Sequence, residues 1–122
     1  MATILVVDDD ARIVAQTEKF LQRLRYDVLT AFGGKEAIDI LNSPQKVDLV
    51  IVDLKMPEID GIQVMEAVVR KKIPLIPISG TVIFDKYQQD LERLGYSRTT
   101  VLPKPVDPYV LMDLVELRLK GR

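Results

Sequence analysis

Short apolar runs alternate with amphipathic segments along this chain, and the alternation limits the fold more than any other feature. Ile4 to Val7 and Leu49 to Val52 are continuous apolar runs. Runs this short and this uniformly apolar fit strands covered on both faces, as in a parallel sheet. Tyr26 to Phe32, β-branched and aromatic, reads as a second strand, Leu75 to Ile78 as a fourth, and Val101-Leu102 as a minimal fifth. Asp10 can cap a helix carrying Ile13, Val14, Thr17, Phe20, Leu21 and Leu24 at helical spacing. Lys35 to Leu41, Ile62 to Lys72 and Asp85 to Leu94 read as further helices. The last helix has Asp107 as cap and Pro108 at its first position, with Val110, Leu111, Leu114, Val115 and Leu117 as its apolar face. Strand and helix thus alternate five times, which predicts an α/β fold with a parallel sheet and helices on both faces. Pro77 runs against the fourth strand, because proline removes a ladder donor.

Composition narrows the chemistry. The 122 residues predict one domain, 1–122, large enough for a real core. No apolar stretch approaches the roughly 20 residues of a membrane helix. With 17 basic and 18 acidic residues the formal net charge is -1, so no nucleic-acid surface is expected. There is no cysteine and no histidine, which excludes disulfides, thiol nucleophiles, Ser-His-Asp chemistry and most transition-metal sites. A cytoplasmic location is the plain expectation. Carboxylates, lysines, hydroxyls and backbone must carry any chemistry.

In an open parallel α/β sheet the site lies outside the carboxyl ends of the strands. Asp8 and Asp9 follow the first predicted strand, Asp53 ends the third, Ser79 and Gly80 follow the fourth, and Pro103, Lys104 and Pro105 follow the fifth. Three carboxylates, a hydroxyl and a lysine therefore converge on one rim. Clustered carboxylates need a cation, and hard oxygen ligands suit Mg²⁺. With Lys104 as a second positive charge, the rim has the parts that phosphoryl transfer uses: positioning and charge neutralisation. A carboxylate can itself be the nucleophile, giving an acyl phosphate.

The segments "LVVDDD", "DLVIVDLKMPEIDG", "PISG" and "LPKPVD" occur in that order, and together they resemble a response-regulator receiver domain of two-component signalling, similar to the single-domain chemotaxis regulator. The resemblance spans about residues 3–120. It implies a doubly wound, flavodoxin-like (βα)5 fold with strand order 2-1-3-4-5. It also implies that Asp53 accepts a phosphoryl group from a sensor histidine kinase or phosphotransfer protein. Asp8 and Asp9 resemble the acidic pair that binds Mg²⁺, with Asp53 and the backbone carbonyl of Lys55 as further ligands. Ser79 resembles the hydroxyl that turns toward the phosphate, and Lys104 the lysine that pairs with it. The Lys104-Pro105 bond resembles the family's cis peptide. The implied product is a signalling switch rather than an enzyme with turnover. Its implied partner surface, for an output domain, a protein partner or a homodimer, is the face of helix 4, strand 5 and helix 5. The chain departs from the pattern in two places. Val101 stands where an aromatic residue is frequent, and Gly80 stands where alanine is common and should loosen that loop.

Two rival readings start from the same residues. Asp8 and Asp10 have the D-x-D spacing of haloacid-dehalogenase-type phosphatases, which use Mg²⁺ and an aspartyl nucleophile. The chain could also be a pseudo-receiver that keeps the fold without phosphorylation. The full set Asp8, Asp9, Asp53, Ser79 and Lys104 favours the phosphoacceptor. The start of the fold almost at Met1 favours a stand-alone receiver or the amino-terminal piece of a longer regulator.

Overall fold

The computed structural model describes residues 1–54, 56, 61–80, 85–96 and 100–120, with side chains from 88 onward in the segment that begins at 85. Its elements are β1 (Thr3–Val7), α1 (Ala11–Arg23), β2 (Asp27–Ala31), α2 (Gly34–Asn42) and β3 (Leu49–Asp53). They continue as α3 (Gly61–Arg70), β4 (Leu75–Ser79), α4 (Asp85–Arg93), β5 (Leu102–Pro103) and α5 (Pro108–Lys120). The strands form one sheet in the order β2-β1-β3-β4-β5. Every pairing is parallel. The expected α/β class and the expected strand order are therefore both observed.

Two cores follow from the period-2 alternation of strand side chains. Leu5, Val7, Val50 and Val52 face Ala37 and Leu41 of α2, Val64, Met65 and Val68 of α3, and Leu91 of α4. Ile4, Val6, Leu49, Ile51, Ile76 and Ile78 face Leu21 of α1 and Leu111 and Val115 of α5. This is why the strand sequences look uniformly apolar: both faces of the central strands are covered.

Pro77 sits in the interior of β4 without breaking the ladder, and the register explains it. The carbonyls of Pro74 and Ile78 accept from Val50 and Leu54 N–H, so even-numbered residues of β4 face β3. The Ser79 carbonyl accepts from Lys104 N–H at 3.0 Å, so odd-numbered residues face β5. Pairing with β5 begins only at Ile78. The missing N–H of Pro77 therefore points to a stretch that has no ladder partner among the described residues. β5 itself lies one residue later than the sequence suggests, at Leu102–Pro103 rather than Val101-Leu102. Lys104 N–H faces β4, so the neighbouring Pro103 has its donor-less nitrogen on the open edge, where proline is tolerated. Val101 packs instead, partly buried, against the α2-α3-α4 core.

α5 buries a narrower stripe than its sequence suggests. Leu111 and Val115 are buried, whereas Val110 and Leu117 remain 43% and 59% exposed, and Tyr109 is 74% exposed. Residues four or seven apart share a line of the helix, and Val110 precedes Leu111 by one residue, about 100° around the axis, so the exposed and buried pairs lie along different lines. No helix among the described residues is long and apolar enough to cross a membrane.

Candidate functional site

β1 delivers its acidic end to the rim because its last residues are locked in register. Asp8 N–H donates to the Ala31 carbonyl of β2 at 3.1 Å, which fixes the chain as it leaves the sheet. Asp8 is 2% exposed, and its Oδ1 accepts from Asp10 N–H at 3.0 Å. Asp9 is exposed. Asp10 does the expected capping: its Oδ1 accepts from Arg12 N–H at 3.0 Å at the start of α1. That engagement takes the second carboxylate of the D-x-D spacing to a helix end.

Asp53 closes β3 and is 4% exposed. Its position depends on Gly61, the first residue of α3. A Cβ on Gly61 would run into the Asp53 carbonyl oxygen and the Leu54 Cα, both of them backbone atoms. Gly61 N–H donates to the Leu54 carbonyl at 2.9 Å, and Leu54 N–H donates to Ile78 at 2.9 Å. The turn that leaves β3 is thus pinched shut at its base, and only glycine fits there. The backbone carbonyl of Lys55, expected as a metal ligand, lies outside the described residues. Ser79 ends β4 and is 6% exposed.

Lys104, following β5, reaches into the same rim. Its Nζ lies 3.1 Å from Asp53 Oδ2 in a hydrogen bond and 2.8 Å from Asp8 Oδ2. The contact to Asp8 is ionic: Oδ2 is buried and no hydrogen-bond donor among the described residues is aligned with it. Burial alone would lower the Lys104 pKa, but the negative charges of Asp8 and Asp53 beside it and the hydrogen bond to Asp53 outweigh that and hold it above the ordinary value. The Lys104-Pro105 peptide is cis.

Carboxylate oxygens of Asp8, Asp9 and Asp53 lie within 4.8 Å of one another. A hard divalent cation suits such a set, and the buried, unaligned Oδ2 of Asp8 is an acceptor that fits one. One ammonium cannot neutralise three carboxylates, so a second cation is electrostatically favoured. The structure therefore brings together Asp8, Asp9, Asp53, Ser79 and Lys104 at the carboxyl ends of β1, β3, β4 and β5. A glycine at the start of a helix carries no visible sign of a backbone clash, which appears only where the start of α3 meets the end of β3.

Comparisons with known proteins identify the family. The family model of the response regulator receiver domain matches residues 4–116. The alkaline phosphatase synthesis transcriptional regulatory protein PhoP of Bacillus subtilis is 33% identical over 105 residues, covering 86% of this chain and 43% of that protein. The response regulator GtcR of Aneurinibacillus migulanus is 28% identical over 119 residues, covering 97% of this chain and 48% of that protein. The chain thus spans about half the length of these curated relatives. A CheY-like receiver domain protein from Methanospirillum hungatei superposes with a TM-score of 0.88 at 24% identity, covering 99% of this chain and 95% of that one, a likeness of fold. With the sheet order, the acidic rim and the family match in place, the chain belongs to the response regulator receiver domain family.

Proposed function

We propose that residues 1–122 act as one receiver unit whose Asp53 accepts a phosphoryl group and thereby switches partner binding. The observation that carries this reading is the placement of the Lys104 ammonium between the buried carboxylates of Asp8 and Asp53, 2.8 and 3.1 Å away. A carboxylate held against a fixed cation at a strand end is poised to keep its charge and to receive an anion that the cation then shares.

In this mechanism an Asp53 carboxylate oxygen attacks phosphorus, the new O–P bond forms, and the N–P bond of a phosphohistidine donor breaks. The donor imidazole leaves with the bonding pair. Asp8, Asp9, Asp53 and the Lys55 backbone carbonyl would hold Mg²⁺, which when bound supplies positive charge to the phosphoryl oxygens. Lys104 pairs with the transferred group, and the Ser79 hydroxyl donates to it. The chain modifies itself and is not an enzyme with turnover. The donor is a sensor histidine kinase or a phosphotransfer protein. The output, a further domain, a protein partner or a second copy, binds the face of α4, β5 and α5, which the exposed Tyr109, Val110 and Leu117 support. The unit works in the cytoplasm without contacting membrane or nucleic acid.

The test is covalent labelling. The chain is incubated with Mg²⁺ and phosphoramidate, and its intact mass is measured beside that of Asp53→Ala. One phosphoryl adduct on the parent and none on the variant is expected. An adduct that survives the substitution and maps to Asp8 would favour the phosphatase-like reading. No adduct on either would favour the pseudo-receiver.

A further inference from the structure

The end of the molecule opposite the rim carries a groove that the phosphoacceptor chemistry does not use. Helices α3, α4 and α5 all finish there, around the start of β4. α3 and α4 stop in the same way. Lys72 (φ 59°) and Gly95 (φ 88°) take the left-handed conformation, and the N–H groups of Ile73 and Tyr96 turn back to the carbonyls of Val68 and Leu91. Between these two turns and the end of α5 lies an open groove of about 680 Å³. Val69, Ile73, Pro74, Leu94 and Leu117 form its apolar lining. Its polar lining is Lys72, Arg118 and Tyr96, and no carboxylate among the described residues lines it. Arg118 stands close enough to Tyr96 for its charge to act on the phenol. Neither Lys72 nor Arg118 forms an ion pair among the described residues, although Arg118 is partly buried. Glu66 of α3 and Asp90 of α4 are already held by Arg93, at 2.8 and 3.4 Å.

We propose that this groove docks an acidic segment of a partner protein, with apolar side chains of the segment on Ile73, Leu94 and Leu117 and its carboxylates on Lys72 and Arg118. A partly buried guanidinium without a counter-charge is costly, and an incoming carboxylate supplies that charge with two aligned donors. The same lining offers contiguous apolar surface, which an extended segment covers with alternate side chains. A lipid surface fits less well, because the apolar residues line a concavity instead of standing clear of the surface. The groove lies at the start of β4 and the rim at its end, five residues away, or about 16 Å. Docking there leaves Asp8, Asp53 and Lys104 free for a cation and a phosphoryl group. The segment therefore binds whether or not Asp53 is phosphorylated, and the groove stands independently of the phosphoacceptor reading. Leu117 is the one residue it shares with those named for the face of α4, β5 and α5.

The experiment is an NMR titration of the isotope-labelled chain, without Mg²⁺ or phosphodonor, with a capped hexapeptide of alternating glutamate and leucine. Amide shifts at Lys72, Ile73, Gly95, Tyr96 and Arg118 that saturate at millimolar peptide are expected. The same peptide with glutamine in place of glutamate should bind several-fold more weakly. Arg118→Gln and Lys72→Gln should each weaken binding several-fold. Lys35→Gln, which removes the same charge from the exposed start of α2, should leave it unchanged. The proposal is overturned if the shifts map elsewhere, if the glutamine peptide binds equally well, or if the Arg118 and Lys72 variants bind like the parent. Shifts at the groove that grow with protein concentration alone would overturn it in favour of a second copy. Sedimentation with phosphatidylserine vesicles in place of peptide binding would overturn it in favour of a lipid surface. Because no phosphodonor is present, a failure of phosphoryl labelling at Asp53 leaves the titration decisive.

Discussion

Single residues at the rim are held by backbone contacts more than by their own chemistry. Gly61 is the sharpest case, since any Cβ there meets the backbone of Asp53 and Leu54 rather than a side chain that could move. Overpacking against backbone costs about 1–3 kcal/mol or more. Gly61→Ala should therefore lower unfolding free energy by at least about 2 kcal/mol, measured by urea denaturation. It should also slow phosphoryl labelling in the fraction that stays folded, because the Asp53 carbonyl is the atom that must shift. An unchanged midpoint would mean that the turn opens without cost. Asp8, Asp9 and Asp10 divide at this same scale. Asp8 is buried beside Lys104, Asp9 is exposed, and Asp10 caps α1. The run of three aspartates is therefore two rim carboxylates and one cap.

Elements differ in how well their faces could be read. The strand runs were legible because a doubly covered parallel strand is apolar at every position. The cap at Asp10 and the start of α5 at Pro108 were legible because capping chemistry is local. The buried side of α5 was not. Its sequence is apolar along most of its length, so periodicity alone cannot say which line faces the sheet. The structure buries Leu111 and Val115 and leaves Val110 and Leu117 outside. Leu111→Ala should destabilise by about 2–5 kcal/mol, as core truncations do. Leu117→Ala should stay within about 0.5 kcal/mol. Thermal or urea unfolding of the two variants side by side checks the assignment, and equal losses would refute it. The β5 boundary was misplaced by one residue for a related reason. Whether a proline can belong to a strand depends on which side its nitrogen faces, and that is set by the neighbouring strand.

At the scale of the whole molecule, the ionisable groups predict how stability falls at high pH. Burial is the main cause that raises Tyr96, with Arg118 and the Leu75 backbone hydrogen bond pulling it back. Tyr26 is raised by burial first and by Glu116 second. A phenol whose folded pKa lies above its unfolded one keeps its full contribution below the ordinary value of 10.0 and loses it as pH rises through the folded value. These tyrosines should therefore leave stability unaffected at neutral pH and reduce it above about pH 10. Phenolate absorbance of the parent beside Tyr96→Phe should show Tyr96 ionising later in the folded chain than after unfolding in guanidinium. An unchanged Tyr96 titration on unfolding would contradict its burial.

By itself the sequence determined the class of fold, the strand order through family resemblance, and the residue types gathered at the carboxyl ends of the strands. Those properties follow from local patterning: apolar period, caps, turn residues and the residue that ends each run. Tertiary structure decided what depends on atoms far apart in the chain. It placed the missing N–H groups of Pro77 and Pro103 on sides without ladder partners. It required glycine at position 61 because a helix start meets a strand end there. It gathered Lys72 and Arg118 around one groove because α3 and α5 end side by side. Register and close approach are relations between segments, and a linear pattern carries no distance between them.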